Sequence, residues 1–296
     1  MTKFIVGVDL SIECERAVAH AVAAARQVGA ELELVLVDAV PDLAEPIPAS
    51  MRTVADHYRS TLQHRVARHR SQLAALRERW LGHGVELSQL VVDGYPDERL
   101  PAIAAERGAD LVVVGSHGRT GVRRFLIGSV AEQVTRRADT SVLIARGDAP
   151  DGGYRRVVIG TDFSALSDHA MTRALPLIAR GGRIDLVHCW QMPWVGSFGE
   201  ALAPIAYDDL RQTYEDALRE TAARLRGALG DRPDVELVTE LTSASSSLGL
   251  VEIATAREAD LIVVGSHGRR GVRRLVLGSV AEVVVRHAPC SVLVTR

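Results

Sequence analysis

The strongest constraint on this 296-residue chain is that it repeats itself. Ala109–Arg146 recurs as Ala259–Arg296, with 26 of 38 positions identical and no gap. The offset of 150 residues is far too long for a solenoid and matches the length of one ordinary domain. Each copy carries the same glycine frame. Gly115-Ser-His-Gly118 is followed after nine residues by Gly128-Ser129, and Gly265-Ser-His-Gly268 after nine by Gly278-Ser279. Each frame follows an unbroken apolar run, Leu111–Val114 or Leu261–Val264, and ends where a helix is expected to begin. A helix start presents backbone N–H groups without an intrahelical partner, which suits an anion. Two such frames predict two phosphorylated ligands, or one ligand and a relic site.

Strands alternating with amphipathic helices in each half predict parallel sheets with helices on both faces. The first half reads as strands at Phe4–Val8, Leu32–Val37, Val85–Val92, Leu111–Gly115 and Ser141–Ala145. Helices are expected at Glu13–Val28, Val54–Leu81, Glu98–Arg107 and Ser129–Arg137. A linker of turn and breaker residues, 147–154, then separates a domain at 1–146 from a second at 155–296. In the second half the strands read as Val157–Gly160, Ile184–Cys189, Val235–Leu241, Leu261–Gly265 and Ser291–Val294. Its helices include Ala165–Ala179, Asp208–Leu229 and Val280–His287.

Open parallel sheets bind ligands beyond the carboxyl ends of their strands, where strand order reverses. Three features of each half fall at such ends. Asp9-Leu-Ser11 and Asp162-Phe-Ser164 follow the first strand, Val37-Asp38 and Cys189-Trp190 end the second, and the glycine frame follows the fourth. Glycines there let the backbone turn and approach a ligand without a Cβ in the way. Between the glycines lie Arg119, Arg123 and Arg124 in one copy and Arg269, Arg270, Arg273 and Arg274 in the other. These loops carry +3 and +4 in a chain of net charge −2, which points to a polyanion such as a triphosphate.

Other readings of the same residues need no ligand. Ser129-Val-Ala-Glu132 and Ser279-Val-Ala-Glu282 fit capping boxes, and Asp9 and Asp162 can cap the helices that follow them. Otherwise the two carboxylates accept hydroxyl or adenine-side donors of a nucleotide. His117 and His267 are the best-placed titrating groups, yet a lone histidine makes no catalytic constellation.

The small net charge argues against a nucleic-acid or anionic-membrane partner. Lys3 is the only lysine, so none is available for a Walker-type loop or a Schiff base. Cys14, Cys189 and Cys290 form no disulfide or zinc pattern, and the N-terminus lacks a signal-peptide core. No apolar run approaches a membrane span. A cytoplasmic protein is expected.

Both halves resemble universal stress protein domains in tandem, from the Val-Gly-Val-Asp9-x-Ser start to the closing Ser-Val-Leu-Val strand. The pattern G-x-x-G-x9-G-[ST] marks the nucleotide-binding branch of that family, and both frames fit it. The resemblance implies a Rossmann-like, five-stranded parallel sheet of order 3-2-1-4-5 in each half, with ATP, accompanied by Mg2+, at its edge. It implies pairing through the last strand, which the two halves can satisfy between themselves; a homodimer of chains is compatible with it. By the same resemblance, Asp9 and Val37 contact the nucleoside, and Gly115, Gly118, Gly128, Ser129 and Val130 hold ribose and phosphates. In the second half the matching positions are Asp162, Cys189, Gly265, Gly268, Gly278, Ser279 and Val280. Gly94, His117, Arg119, His267 and Arg269 complete the candidate set. One departure stands out: Gly94-Tyr-Pro96 borders the first site, whereas Ala244-Ser-Ser246 borders the second and predicts weaker binding or a different conformation there.

The expected function is a nucleotide-dependent regulatory or stress-response factor with no catalytic residue and at most slow ATP hydrolysis. An ATP-using transferase or ligase is one alternative, weakened by the absence of SGGxDS, HIGH and KMSKS signatures. A ligand-free interaction module presenting the Trp190-Gln-Met-Pro-Trp194 loop is another.

Overall fold

The computed structural model describes residues 2–38, 52–117, 127–191, 203–267 and 277–296. In the first half β1 (Lys3–Val8), α1 (Ile12–Val28), β2 (Glu31–Asp38), α2 (Arg52–Trp80) and β3 (Leu87–Asp93) come first. They are followed by α3 (Pro96–Arg107), β4 (Leu111–Gly115), α4 (Ser129–Arg137) and β5 (Ser141–Ala145). The second half repeats the order with β6 (Tyr154–Gly160), α5 (Ala165–Ala174), β7 (Ile178–Cys189), α6 (Ala203–Leu229) and β8 (Glu236–Thr242). It closes with α7 (Ser246–Ala256), β9 (Leu261–Gly265), α8 (Ser279–His287) and β10 (Ser291–Thr295).

Each half forms a parallel sheet of order 3-2-1-4-5, and the two join into one ten-stranded sheet, β3-β2-β1-β4-β5-β10-β9-β6-β7-β8. The junction is the only antiparallel pairing among the described strands: Val142, Leu143 and Ile144 face Val294, Leu293 and Val292. The expected pairing of the halves through their last strands is therefore built into the chain. Strand order reverses at β1, which pairs with β2 on one side and β4 on the other, and likewise at β6 between β7 and β9.

The central strands are apolar at successive positions because both faces of the sheet are covered. Phe4, Val6 and Val8 pack with α1 and α2, and one continuous cluster carries that layer on to α5 and α6. Ile5, Val112 and Val114 point the other way, toward α3 and α4, and their cluster continues to α7 and α8. The core thus spans both halves as two sheets of side chains, one on each face.

One helix departs from expectation. The apolar period predicts α5 to Ala179, but it stops at Ala174, and Leu175–Leu177 form a single 3-10 turn. Pro176 is the cause: it lacks an N–H and its ring clashes with the preceding turn of an α-helix. The corresponding α1 has no proline and runs 17 residues to Gly29, whose φ of 66° ends it in a left-handed C-cap. Arg232 compensates at the break, donating to the carbonyls of Leu175, Ile178 and Ala179 at 3.0, 2.7 and 2.9 Å.

Across the β5–β10 junction, Glu132, Arg136, Glu282 and Arg286 form a four-charge ring between α4 and α8, with closest contacts of 2.8–3.3 Å. Among the described residues, no helix is long and apolar enough to cross a membrane.

Candidate functional site

Strand order reverses at β1, the place where open parallel sheets receive ligands beyond the carboxyl ends of their strands, and a tight turn follows β1 there. Asp9 Oδ1 accepts the Ser11 N–H at 3.0 Å and the Ser11 hydroxyl at 2.5 Å. Ser11 Oγ in turn accepts the Cys14 N–H and caps α1. The second half repeats this: Asp162 Oδ1 accepts from Ser164 at 3.1 and 2.6 Å, and Ser164 caps α5 through the Ser167 N–H. The caps are therefore the serines, and the aspartates act one step behind them. Leu10 and Phe163, between each aspartate and serine, are held at φ 61° and 63°, which L residues other than glycine rarely adopt. Such strain, roughly 1–3 kcal/mol, persists where the surroundings over-determine the turn.

The second feature there is the glycine frame. An added Cβ on Gly115 would lie 3.3 Å from the His117 carbonyl, and one on Gly265 would lie 3.4 Å from the His267 carbonyl. Ser116 donates its N–H to Ala145, and its carbonyl accepts the Gly128 N–H at 2.7 Å; Ser266, Thr295 and Gly278 repeat the pattern. These bonds close the base of each frame and deliver the chain into α4 or α8. His117 and His267 each engage the preceding serine hydroxyl through Nδ1 at 3.0 Å. His267 Nε2 is buried and has no hydrogen-bond partner among the described residues.

The capping-box reading is corrected here. The N-caps are Gly128 and Gly278, with φ, ψ near −65°, 144° and −62°, 150°, and neither helix has a side-chain cap. Ser129 and Ser279 are the first helical residues instead, one position too late to cap. Glu132 and Glu282 turn to the arginine ring rather than back to the helix start. The first-turn amides of Ser129, Val130 and Ala131 thus lack the side-chain acceptor that a capping box would supply.

The other candidate positions divide. Val37, next to last in β2, and Cys189, the last residue of β7, are buried, and burial pushes the Cys189 thiol up to about 11. Gly94 sits at φ 128°, with its N–H on the Asp38 carbonyl and Arg99 where a Cβ would go, so the first site requires glycine there. At the second site Ser245 is the N-cap of α7 with an ordinary φ of −63°. Gly118, Arg119, Gly268 and Arg269 lie outside the described residues, as do the other loop arginines and Trp194.

A difference between the halves that the pattern of glycines does not reveal lies where β2 and β7 end. Asp38 is buried between Arg65, at 3.2 Å, and His69, at 3.0 Å. In the second half Trp190 takes that place and packs 5.0 Å from Tyr207 and 5.4 Å from Tyr214. His188 donates through Nδ1 to the Thr161 carbonyl at 2.7 Å and stands between Phe163 and Tyr214. Trp190 is only 5% exposed, so it is a core residue and not an exposed anchor. The signal was in the sequence, where Phe163, His188, Trp190 and Tyr214 replace Leu10, Leu36, Asp38 and Arg65 at corresponding places.

A sequence model described as the universal stress protein family matches residues 1–146 and again residues 153–296. The chain belongs to the universal stress protein family. A universal stress protein of Mycolicibacterium smegmatis is 30% identical over 302 residues, covering 99% of this chain and 96% of its own. Another, of Mycobacterium tuberculosis, is 30% identical over 254 residues, covering 84% of this chain and 77% of its own. Among solved structures, a universal stress protein from Archaeoglobus fulgidus covers 99% of this chain and 98% of its own, with TM-score 0.65 and 22% identity. That likeness is one of fold. The tandem arrangement of two family domains in one chain thus agrees with the ten-stranded sheet.

Proposed function

We propose that the chain is an ATP-binding regulator whose two domains, 1–146 and 155–296, each form one nucleotide crevice. The observation that carries this reading is the convergence of Asp9, Gly115 and the uncapped start of α4 at the strand-order reversal, repeated in the second half. Backbone amides at a helix start suit phosphate oxygens, and the tight glycine corner lets a ligand approach the main chain. Asp9 and Asp162 supply acceptors for ribose or adenine-side donors, and the loop arginines, with Mg2+, balance the phosphate charge. His267 Nε2, buried without a partner among the described residues, fits the same reading, because a bound ligand would satisfy it.

The crevice favours holding a nucleotide over turning it over. Its carboxylate is already committed to Ser11, and His117 is committed to Ser116 through Nδ1. Regulation in the cytoplasm by nucleotide occupancy, with at most slow hydrolysis, follows from that. The first site is the stronger, because Gly94 and Pro96 shape its rim and the second has Ala244 and Ser246.

Calorimetric titration of nucleotide-free protein with MgATP tests this. Gly115→Ala should lower affinity at the first site at least tenfold, since the His117 backbone must shift to admit a Cβ. No heat with wild-type protein at millimolar MgATP, together with no nucleotide in the purified chain by mass spectrometry, would end the proposal.

A further inference from the structure

The early end of α5 leaves a cavity of about 550 Å³ where the two halves meet. Its lining comes from Gln27 of α1, Gly152 of the linker, Arg155 of β6, Pro176, Ile178 and Arg180 of the broken segment, and Arg232. It lies at the amino ends of β6 and β7, so the length of β6 separates it from the crevice of the second half by roughly 20 Å. In the first half, α1 continues through the region that α5 abandons at Pro176.

The chemistry of the lining is one-sided. Three arginines and one glutamine surround an apolar floor of proline, isoleucine and alanine, and no carboxylate lines it. Arg232 is spent on three backbone carbonyls. Arg155 and Arg180 are exposed, and neither ion-pairs with a described carboxylate. Asp234 feels the charges of Arg232 and Arg180, but its Oδ2 accepts the Gly181 N–H at 2.6 Å. Two uncommitted guanidinium groups beside an apolar floor match a ligand with an oxyanion on an apolar body. The volume falls within the range of small-molecule sites.

We propose that this junction cavity binds a small organic oxyanion, a phosphate or carboxylate carried on an apolar group, held by Arg155 and Arg180. The ligand would touch α1, the linker and the second domain together, so occupancy would brace the halves against each other. Calorimetry of the full chain with phenyl phosphate and with benzoate tests the site and separates the two anion types. Binding of either probe should weaken at least tenfold in the Arg155→Ala/Arg180→Ala variant, whose changed side chains are exposed and leave the fold intact. The same probe should bind Gly115→Ala/Gly265→Ala as tightly as wild type. Equal affinity in the arginine variant and wild type, loss of binding in the glycine variant, or no binding of either probe to wild type would each overturn the assignment.

Discussion

Arg146 and Arg296 stand at corresponding positions of the two repeats, and each reaches across the β5–β10 junction to the end of a helix in the other half. Arg146 donates to the carbonyls of Ala288 and, at 2.8 Å, Val285; Arg296 donates to those of Thr135 and Arg136 at 2.7 and 2.9 Å. A cation at a helix C-terminus interacts favourably with the carbonyls that have no helical partner. Burial lowers the pKa of both guanidinium groups, so their hydrogen bonds must offset a desolvation cost.

Arg146→Ala should therefore destabilise the chain by about 2–3 kcal/mol, the range for charged hydrogen bonds whose buried acceptors lose their donor. Urea unfolding checks it. An unchanged midpoint would mean that water replaces the guanidinium without loss.

Gly153 tests how tightly the linker is held. It sits at φ 102°, and a Cβ there would lie 2.8 Å from the Leu177 carbonyl oxygen and 2.9 Å from the Ala179 nitrogen. Gly147, in the same linker, has φ 70° but nothing within 4 Å of an added Cβ. Gly147→Ala should cost about 1 kcal/mol, from backbone conformation alone. Gly153→Ala adds a backbone collision and should cost about 2 kcal/mol or more. Equal losses in the two variants would count against the close packing of linker and broken helix.

His20 gives the junction a pH dependence. It is buried, with Nε2 toward the Gly147 carbonyl at 3.4 Å and Nδ1 2.9 Å from the Tyr154 hydroxyl. With Nε2 donating, a neutral ring accepts from Tyr154 through Nδ1. Burial, the largest influence, lowers the His20 pKa from 6.5, while the Gly147 carbonyl and Asp148 pull weakly the other way. Because the folded pKa is the lower one, the unfolded chain binds the proton more readily. The stabilisation from a neutral His20 is complete above about pH 6.5 and is lost as pH falls toward the folded pKa. Urea midpoints at pH 7.5 and 5.5 should differ more for wild type than for His20→Gln. Identical differences would assign the acid sensitivity to other groups.

The alternation of strands and helices was legible because periodicity and breakers act locally. Ser129–Arg137 and Leu111–Gly115 form where expected, and most other boundaries move by one to three residues. The misses share a cause: a local pattern was overruled by something beside it. Pro176 ended α5 despite five further residues of helical pattern, and Tyr154-Arg-Arg joined β6 although its charges hid the strand. Ser129 looked like a cap, yet the bond from Gly128 to Ser116 sets the helix start one residue earlier. Trp190 looked like a loop anchor because Tyr207 and Tyr214, which cover it, lie on α6, beyond the loop that follows β7. The reach of Arg146 and Arg296 depends on the pairing of the halves, which no local window contains.

Asp9 holds a turn and, in the proposed site, also meets the nucleotide; two substitutions separate these roles. Asp9→Ala removes both bonds to Ser11 and releases Leu10 from φ 61°, so it should cost about 1–2 kcal/mol without nucleotide. Asp9→Asn keeps an Oδ1 acceptor for Ser11 and should cost less than about 1 kcal/mol. To keep that acceptor, however, the asparagine must turn its NH2 toward the crevice, where the carboxylate would offer an oxygen to a hydroxyl. A donor facing a donor leaves the ligand group unpaired, which is the costly kind of mismatch. Asp9→Asn should thus retain nearly native stability while ATP affinity at the first site falls about tenfold, roughly 1.4 kcal/mol. Wild-type affinity in Asp9→Asn would confine Asp9 to supporting the Ser11 cap.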